Sequence, residues 1–105
     1  MKRHEFRWVQ RGAKATSRHF IVYARPGPNG RGRLGLAVGR KVGRAVVRNA
    51  IKRRLREALR SKLPGVGLEM LVVAKGGSAA LQDASPQTYW AELAPLLAQF
   101  QRRFA

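Results

Sequence analysis

Along this chain the apolar residues recur with two periods, and the changes of period divide it into elements. Residues 4–11 carry few large apolar groups, and Gly12 follows, which predicts a short helix with a glycine stop. Residues 19–25, HFIVYAR, are aromatic and β-branched and predict a strand. Phe20, Val22 and Ala24 share one face of it, and His19, Ile21, Tyr23 and Arg25 the other. The turn-forming stretch PGPNGRG at 26–32 leads into RLGLAVG at 33–39. There Leu34, Leu36 and Val38 alternate with Arg33, Gly35, Ala37 and Gly39, as in a strand with one small, open face. These two strands are expected to form a hairpin.

From 44 to 62 the period lengthens to that of a helix. Val47, Ile51, Leu55, Ala58 and Leu59 form one apolar stripe, and Pro64 with Gly65 ends the segment. LEMLVVA at 68–74 is a near-continuous apolar run with β-branched members and predicts a strand buried on both faces, closed by Gly76, Gly77 and Ser78. A last helix over 86–104 opens at Ser85-Pro86 and presents Tyr89, Leu93, Leu96, Leu97 and Phe100, with Pro95 as a point for a kink. The order is α-β-β-α-β-α, with a further short strand expected near 40–43. That predicts an α+β, two-layer sandwich in which helices cover a small sheet, one domain over residues 1–105.

Charge changes this picture most. Twenty-two Lys and Arg face five Asp and Glu, a formal net charge of +17. Solubility asks for a net charge of only about 2–8 in a small domain, so the excess points to a polyanionic partner. Cysteine is absent, which excludes disulfides, thiolate metal sites and cysteine nucleophiles, and suits a reducing, cytoplasmic setting. No apolar run approaches the roughly 18 residues of a membrane span, and the N-terminus lacks the apolar core of a secretory signal.

Most of that charge is concentrated in RKVGRAVVRNAIKRRLREALRSK, residues 40–62. Here Arg40, Lys41, Arg44, Arg48, Lys52, Arg53, Arg54, Arg56, Arg60 and Lys62 are opposed only by Glu57. On a helix Arg48, Lys52, Arg56 and Arg60 climb one face, with Asn49 and Arg53 beside them. Like charges four apart each destabilise an isolated helix by a few tenths of a kcal/mol. A chain of phosphates reverses the sign of that interaction and releases counterions. Asn49 suits a base edge or a 2′-hydroxyl, or a local hydrogen bond.

Catalytic chemistry finds little support. His4 and His19 have no carboxylate nearby in sequence, the acids Glu5, Glu57, Glu69, Asp83 and Glu92 are scattered, and Ser17, Ser61, Ser78 and Ser85 lack a nucleophile's surroundings. No catalytic residue and no metal site is expected.

The run VGRAVVRNAIKRRLRE, preceded by LGLAVGRK, resembles the signature of the bacterial ribonuclease P protein component. Residues 5–25, LVVAKGG at 71–77 and the C-terminal amphipathic segment extend the resemblance over most of the chain. The family motif centres on Arg-Asn-Arg; here it reads Arg48-Asn49-Ala50, followed by Lys52, Arg53 and Arg56. The resemblance implies a fold like the second domain of ribosomal protein S5, with a left-handed β-α-β crossover. It implies an accessory subunit of an endoribonuclease whose catalysis is carried by RNA, acting in the removal of the 5′ leader from precursor tRNA. Magnesium would be required by the RNA–protein holoenzyme and not bound by the protein alone. The implied partners are the catalytic RNA and the precursor tRNA leader, with no membrane and no obligate protein partner. Arg40, Lys41, Arg44, Arg48, Asn49, Lys52, Arg53, Arg56 and Arg60 would contact the catalytic RNA. Phe6, Tyr23, Arg33, Ala37 and Lys41 would line a cleft for the single-stranded leader.

Aromatic groups on an open sheet face suit that second task, because each stacked base is worth about 1–3 kcal/mol whatever its identity. Phe6 and Tyr23 either stack on RNA or pack on each other. A ribosomal or chaperone-type RNA-binding module would share the basic helix without the cleft. A membrane-surface protein fits poorly, since two apolar strands stand ready to cover the helix's stripe.

Overall fold

The computed structural model describes residues 3–62 and 67–104. The helix stop expected at Pro64 and Gly65 lies outside the described residues. Three helices and four strands follow in the order α1 (Arg3–Gln10), β1 (Ala13–Thr16), β2 (Phe20–Pro26), β3 (Arg33–Ala37), α2 (Ala45–Arg60), β4 (Leu68–Ala74) and α3 (Pro86–Arg103). The fold is α+β, as the periodicity predicts.

The sheet runs β1-β2-β4-β3. Its centre is β4, which pairs antiparallel with β2 from Phe20↔Ala74 to Pro26↔Leu68 and parallel with β3 from Arg33↔Glu69 to Ala37↔Val73. A strand that is apolar on both faces loses least when both faces and both edges are covered, so LEMLVVA takes the middle. The expected hairpin between residues 19–25 and 33–39 is therefore absent: β4 is inserted between β2 and β3. The hairpin that does form joins β1 to β2, in register from Ala13↔Ala24 to Thr16↔Ile21.

The strand expected near 40–43 is also corrected. Arg40–Val42 is a single 3₁₀ turn bounded by Gly39 and Gly43, and Gly43 sits at φ 151°, a backbone region closed to most side chains. The additional strand is β1, whose Ala-Lys-Ala-Thr alternation buries only two methyl groups and so gives a faint signal. Entry into β1 depends on Gly12, where a Cβ would stand 2.3 Å from the Ala24 carbonyl oxygen.

Helices α2 and α3 pack side by side on one sheet face. Ile51, Leu55 and Leu59 of α2 and Tyr89, Leu93, Leu97 and Phe100 of α3 are buried with Phe20, Val22, Met70 and Val72. Each such side chain contributes about 1.5–3 kcal/mol by leaving water. Phe20 meets Tyr89 with ring centroids 5.9 Å apart, and the Tyr89 hydroxyl donates to the Leu81 carbonyl at 2.6 Å. Ser85 caps α3 by accepting from the Thr88 amide, as Ser-Pro predicts.

The short α1 lies across the opposite face. Val9 and Leu71 are fully buried yet separate from the main core, and they seal α1 against β2 and β4. Much of this face stays half-open, with Ile21, Tyr23, Ala37 and Val73 only partly covered.

Candidate nucleic-acid interface

Helix α2 divides into two arcs. Ile51, Leu55, Ala58 and Leu59 are buried, while Asn49, Arg53, Arg56 and Arg60 are exposed and Arg48 and Lys52 are half-buried. The division follows from the sequence: burying the apolar stripe against the sheet turns the adjoining cations towards water. Among the described residues, no cation of the ridge from Arg48 to Arg60 forms a carboxylate pair. At the head of α2, Arg44 occupies the N-cap without a side-chain hydrogen bond, and no acid stands in the first turn. Arg40 and Lys41, both exposed, precede it. Cations at the positive pole of a helix are unfavourable in isolation, and an anion there would relieve them.

Arg54 behaves differently from its neighbours. Its Nε donates to the Gln82 carbonyl at 2.9 Å, which ties α2 to the 3₁₀ segment Gly76–Leu81 and its C-cap. The third motif position, Ala50, is half-buried.

Phe6 and the basic ridge converge. Phe6, Leu34, Gly35, Leu36, Lys52, Arg56 and Arg60 line one concavity of about 440 Å³ that wraps the free edge of β3. Phe6, a residue expected in the leader cleft, thus shares one depression with three residues expected to meet the catalytic RNA. The other expected cleft residues are spread over the α1 face. Tyr23 stands in register with Leu71, and Leu71 with Gly35, so Tyr23 is two strands, roughly 10 Å, from the concavity. Among the described residues, ring pairs join His19 to Phe20 and Phe20 to Tyr89, and none joins Phe6 to Tyr23. Ala37 ends β3, half-buried beside Val73, and Lys41 follows in the exposed turn. Arg33, at the start of β3, gives its Nη2 to Glu69 at 2.7 Å, and Glu69 is fully buried.

Three polar contacts have no trace in local sequence. Glu92 of α3 accepts from the His19 amide at 2.9 Å, meets His19 Nδ1 at 2.6 Å and accepts from the Ser17 hydroxyl. His19 therefore has a carboxylate partner after all, brought from 73 residues away. Glu69 receives Arg33 across neighbouring strands. Arg25 stacks on Trp8, its guanidinium carbon 3.4 Å from the ring centre. Among the described residues no group of three or more His, Cys, Asp or Glu side chains could hold a metal ion. Among the described residues no helix is long and apolar enough to cross a membrane.

A family model described as Ribonuclease P matches residues 1–101. The RNase P protein of Thermotoga maritima superimposes with a TM-score of 0.79 at 28% identity, covering 92% of each chain. The RNase P protein of Staphylococcus aureus gives a TM-score of 0.73 at 28% identity, over 93% of this chain and 90% of that one. Among curated proteins, none matches the sequence.

Proposed function

The chain belongs to the ribonuclease P protein family, and from that premise we propose that it is the protein subunit of a bacterial ribonuclease P, acting in tRNA 5′-end maturation. In this reading it binds the catalytic RNA through Arg40, Lys41, Arg44, Arg48, Asn49, Lys52, Arg53, Arg56 and Arg60. It holds the leader of precursor tRNA along the α1 face, by Phe6, Tyr23, Arg33, Ala37 and Lys41. The observation that carries the reading is the cationic arc of α2, in which no guanidinium or ammonium from Arg48 to Arg60 is paired with a carboxylate among the described residues, backed by a buried stripe. A helix pinned in this way presents its guanidiniums at fixed spacing, and rigid presentation suits phosphates better than a flexible basic tail does.

The protein's own residues neutralise and position. Lys52, Arg56 and Arg60 lower the repulsion between the phosphates of two RNAs at the β3 edge, and Phe6 offers a ring at the same depression. Magnesium is bound by RNA in this reading and supports cleavage of the phosphodiester bond. The protein favours that binding indirectly by drawing the strands together.

Reconstitution with a bacterial ribonuclease P RNA at low magnesium tests the proposal. Addition of the protein is expected to restore removal of the leader. Unchanged cleavage, with generic RNA still bound, would reassign the chain to a non-catalytic RNA-binding module. Within an active complex, Tyr23→Ala is expected to weaken precursor tRNA more than mature tRNA; equal losses would remove Tyr23 from the leader's path.

A further inference from the structure

Trp8 belongs to neither set of residues assigned above. Among the described residues only Trp8 and Val46 are exposed large hydrophobics, and Trp8 is 46% exposed. It is not needed to fasten α1, since Val9 is fully buried beneath the helix. Two positions separate Trp8 from Phe6, which places the two rings on opposite flanks of α1. Phe6 leans to the β3 edge, whereas Trp8 leans to β2, where Arg25 covers one face of its indole at 3.4 Å. Arg25 Nη1 also donates to the Trp8 carbonyl at 2.9 Å. The guanidinium is thereby held at both ends of the contact, and the indole with it.

The surroundings are cationic. Arg7 and Arg11 flank Trp8 and are exposed, and exposed Lys14 on β1 places its ammonium 5.9 Å from the ring centre of Tyr23. Tyr23 and Arg25 share the same face of β2. An ordered, exposed indole with one face already covered leaves its other face for a planar partner. Fixing its orientation in advance lowers the entropy lost on binding. Flanking cations select a partner that carries phosphates as well as a flat ring.

We propose that Trp8, braced by Arg25, is a stacking platform for an unpaired base of single-stranded RNA. It continues a path across the α1 face on the far side of α1 from Phe6. The stacking stands on this geometry alone; its assignment to the leader of precursor tRNA rests on the function proposed above. The Trp8 flank then contacts a stretch of leader distinct from the one at the Phe6 flank, so its contribution depends on leader length.

The test uses the full chain carrying Trp90→Phe, so that Trp8 is the remaining indole. Oligoadenylate is expected to quench Trp8 fluorescence, and inorganic polyphosphate of matched charge to bind without comparable quenching. Equal quenching by the two, or none by either with binding established, overturns the platform and leaves Trp8 as a clamp on α1. In the wild-type background Trp8→Leu is expected to weaken oligoadenylate about five- to hundredfold, the loss of one base stack. In the reconstituted holoenzyme the same substitution should weaken precursor tRNA with a long leader and spare one with a leader of a few nucleotides. Quenching together with equal losses for both leaders retains the platform and overturns its assignment to the leader. Quenching by a protein that fails to stimulate the catalytic RNA retains the platform and overturns the proposed function instead.

Discussion

His19 Nδ1 lies 2.6 Å from Glu92 Oε1, and through this contact α3 holds the β1–β2 turn. The same carboxylate accepts from the His19 amide and the Ser17 hydroxyl, while Lys75 Nζ donates to the Ser17 carbonyl at 2.7 Å. Burial works to raise the Glu92 pKa, but the hydrogen bonds from His19 and Ser17 together with the charge interaction with His19 outweigh it, and the net displacement is downwards. A carboxyl depressed in the folded state stabilises the fold above its unfolded value, about 4.3, and that contribution fades as pH falls through the lower folded value. Glu92→Gln is therefore expected to cost about 1–3 kcal/mol near neutrality. The gap to the wild type should close in acid. Chemical denaturation of both proteins across pH 3–7 checks this; a gap independent of pH would remove the carboxylate's charge from the account.

Arg53 and Arg54 are neighbours with different tasks. Arg53 is exposed, whereas Arg54 donates to the Gln82 carbonyl. Lys52→Ala with Arg53→Ala should weaken RNA binding and reduce the slope of log K against log salt by up to about 0.7–0.9 for each lost phosphate contact, with little change in melting temperature. Arg54→Ala should do the reverse, lowering stability by about 1 kcal/mol while leaving the salt slope intact. Binding titrations at several salt concentrations, paired with thermal melts, separate the two.

Gly12 admits no side chain without displacement of β2. A Cβ there meets the Ala24 carbonyl oxygen at 2.3 Å and Arg25 Cβ at 2.9 Å. Gly12→Ala is expected to destabilise by about 1–3 kcal/mol, the range for forced overpacking. It should also shift α1, so Arg25–Trp8 stacking, read from indole fluorescence in the Trp90→Phe background, should change with it.

Leu55 and Val46 lie on one helix and differ in burial, 0% against 80% exposed. Leu55→Ala is expected to cost about 2–5 kcal/mol, and Val46→Ala to stay within about 0.5 kcal/mol. Denaturant midpoints at unchanged m-value are the check.

What the linear sequence determined is whatever repeats at short range. The stripe Val47–Ile51–Leu55–Leu59 and the basic ridge beside it are written in a helical period, so α2, its buried arc and its exposed arc are all legible without coordinates. The near-continuous apolar run LEMLVVA likewise announces a buried strand, and Ser85-Pro86 announces the start of α3. Strand neighbours carry no such period. Whether β3 pairs with β2 or β4 depends on which arrangement covers both edges of LEMLVVA, a competition among long-range pairings that no window of sequence contains. The same holds for polar partners: Glu92 meets His19 from 73 residues away, and Glu69 meets Arg33 only because β3 and β4 lie side by side. Tertiary structure alone decided that Phe6 shares a concavity with Lys52, Arg56 and Arg60, and that Arg25 steadies Trp8. Chain connectivity sets the period of a helix, but distances between elements are set by how their apolar faces pack.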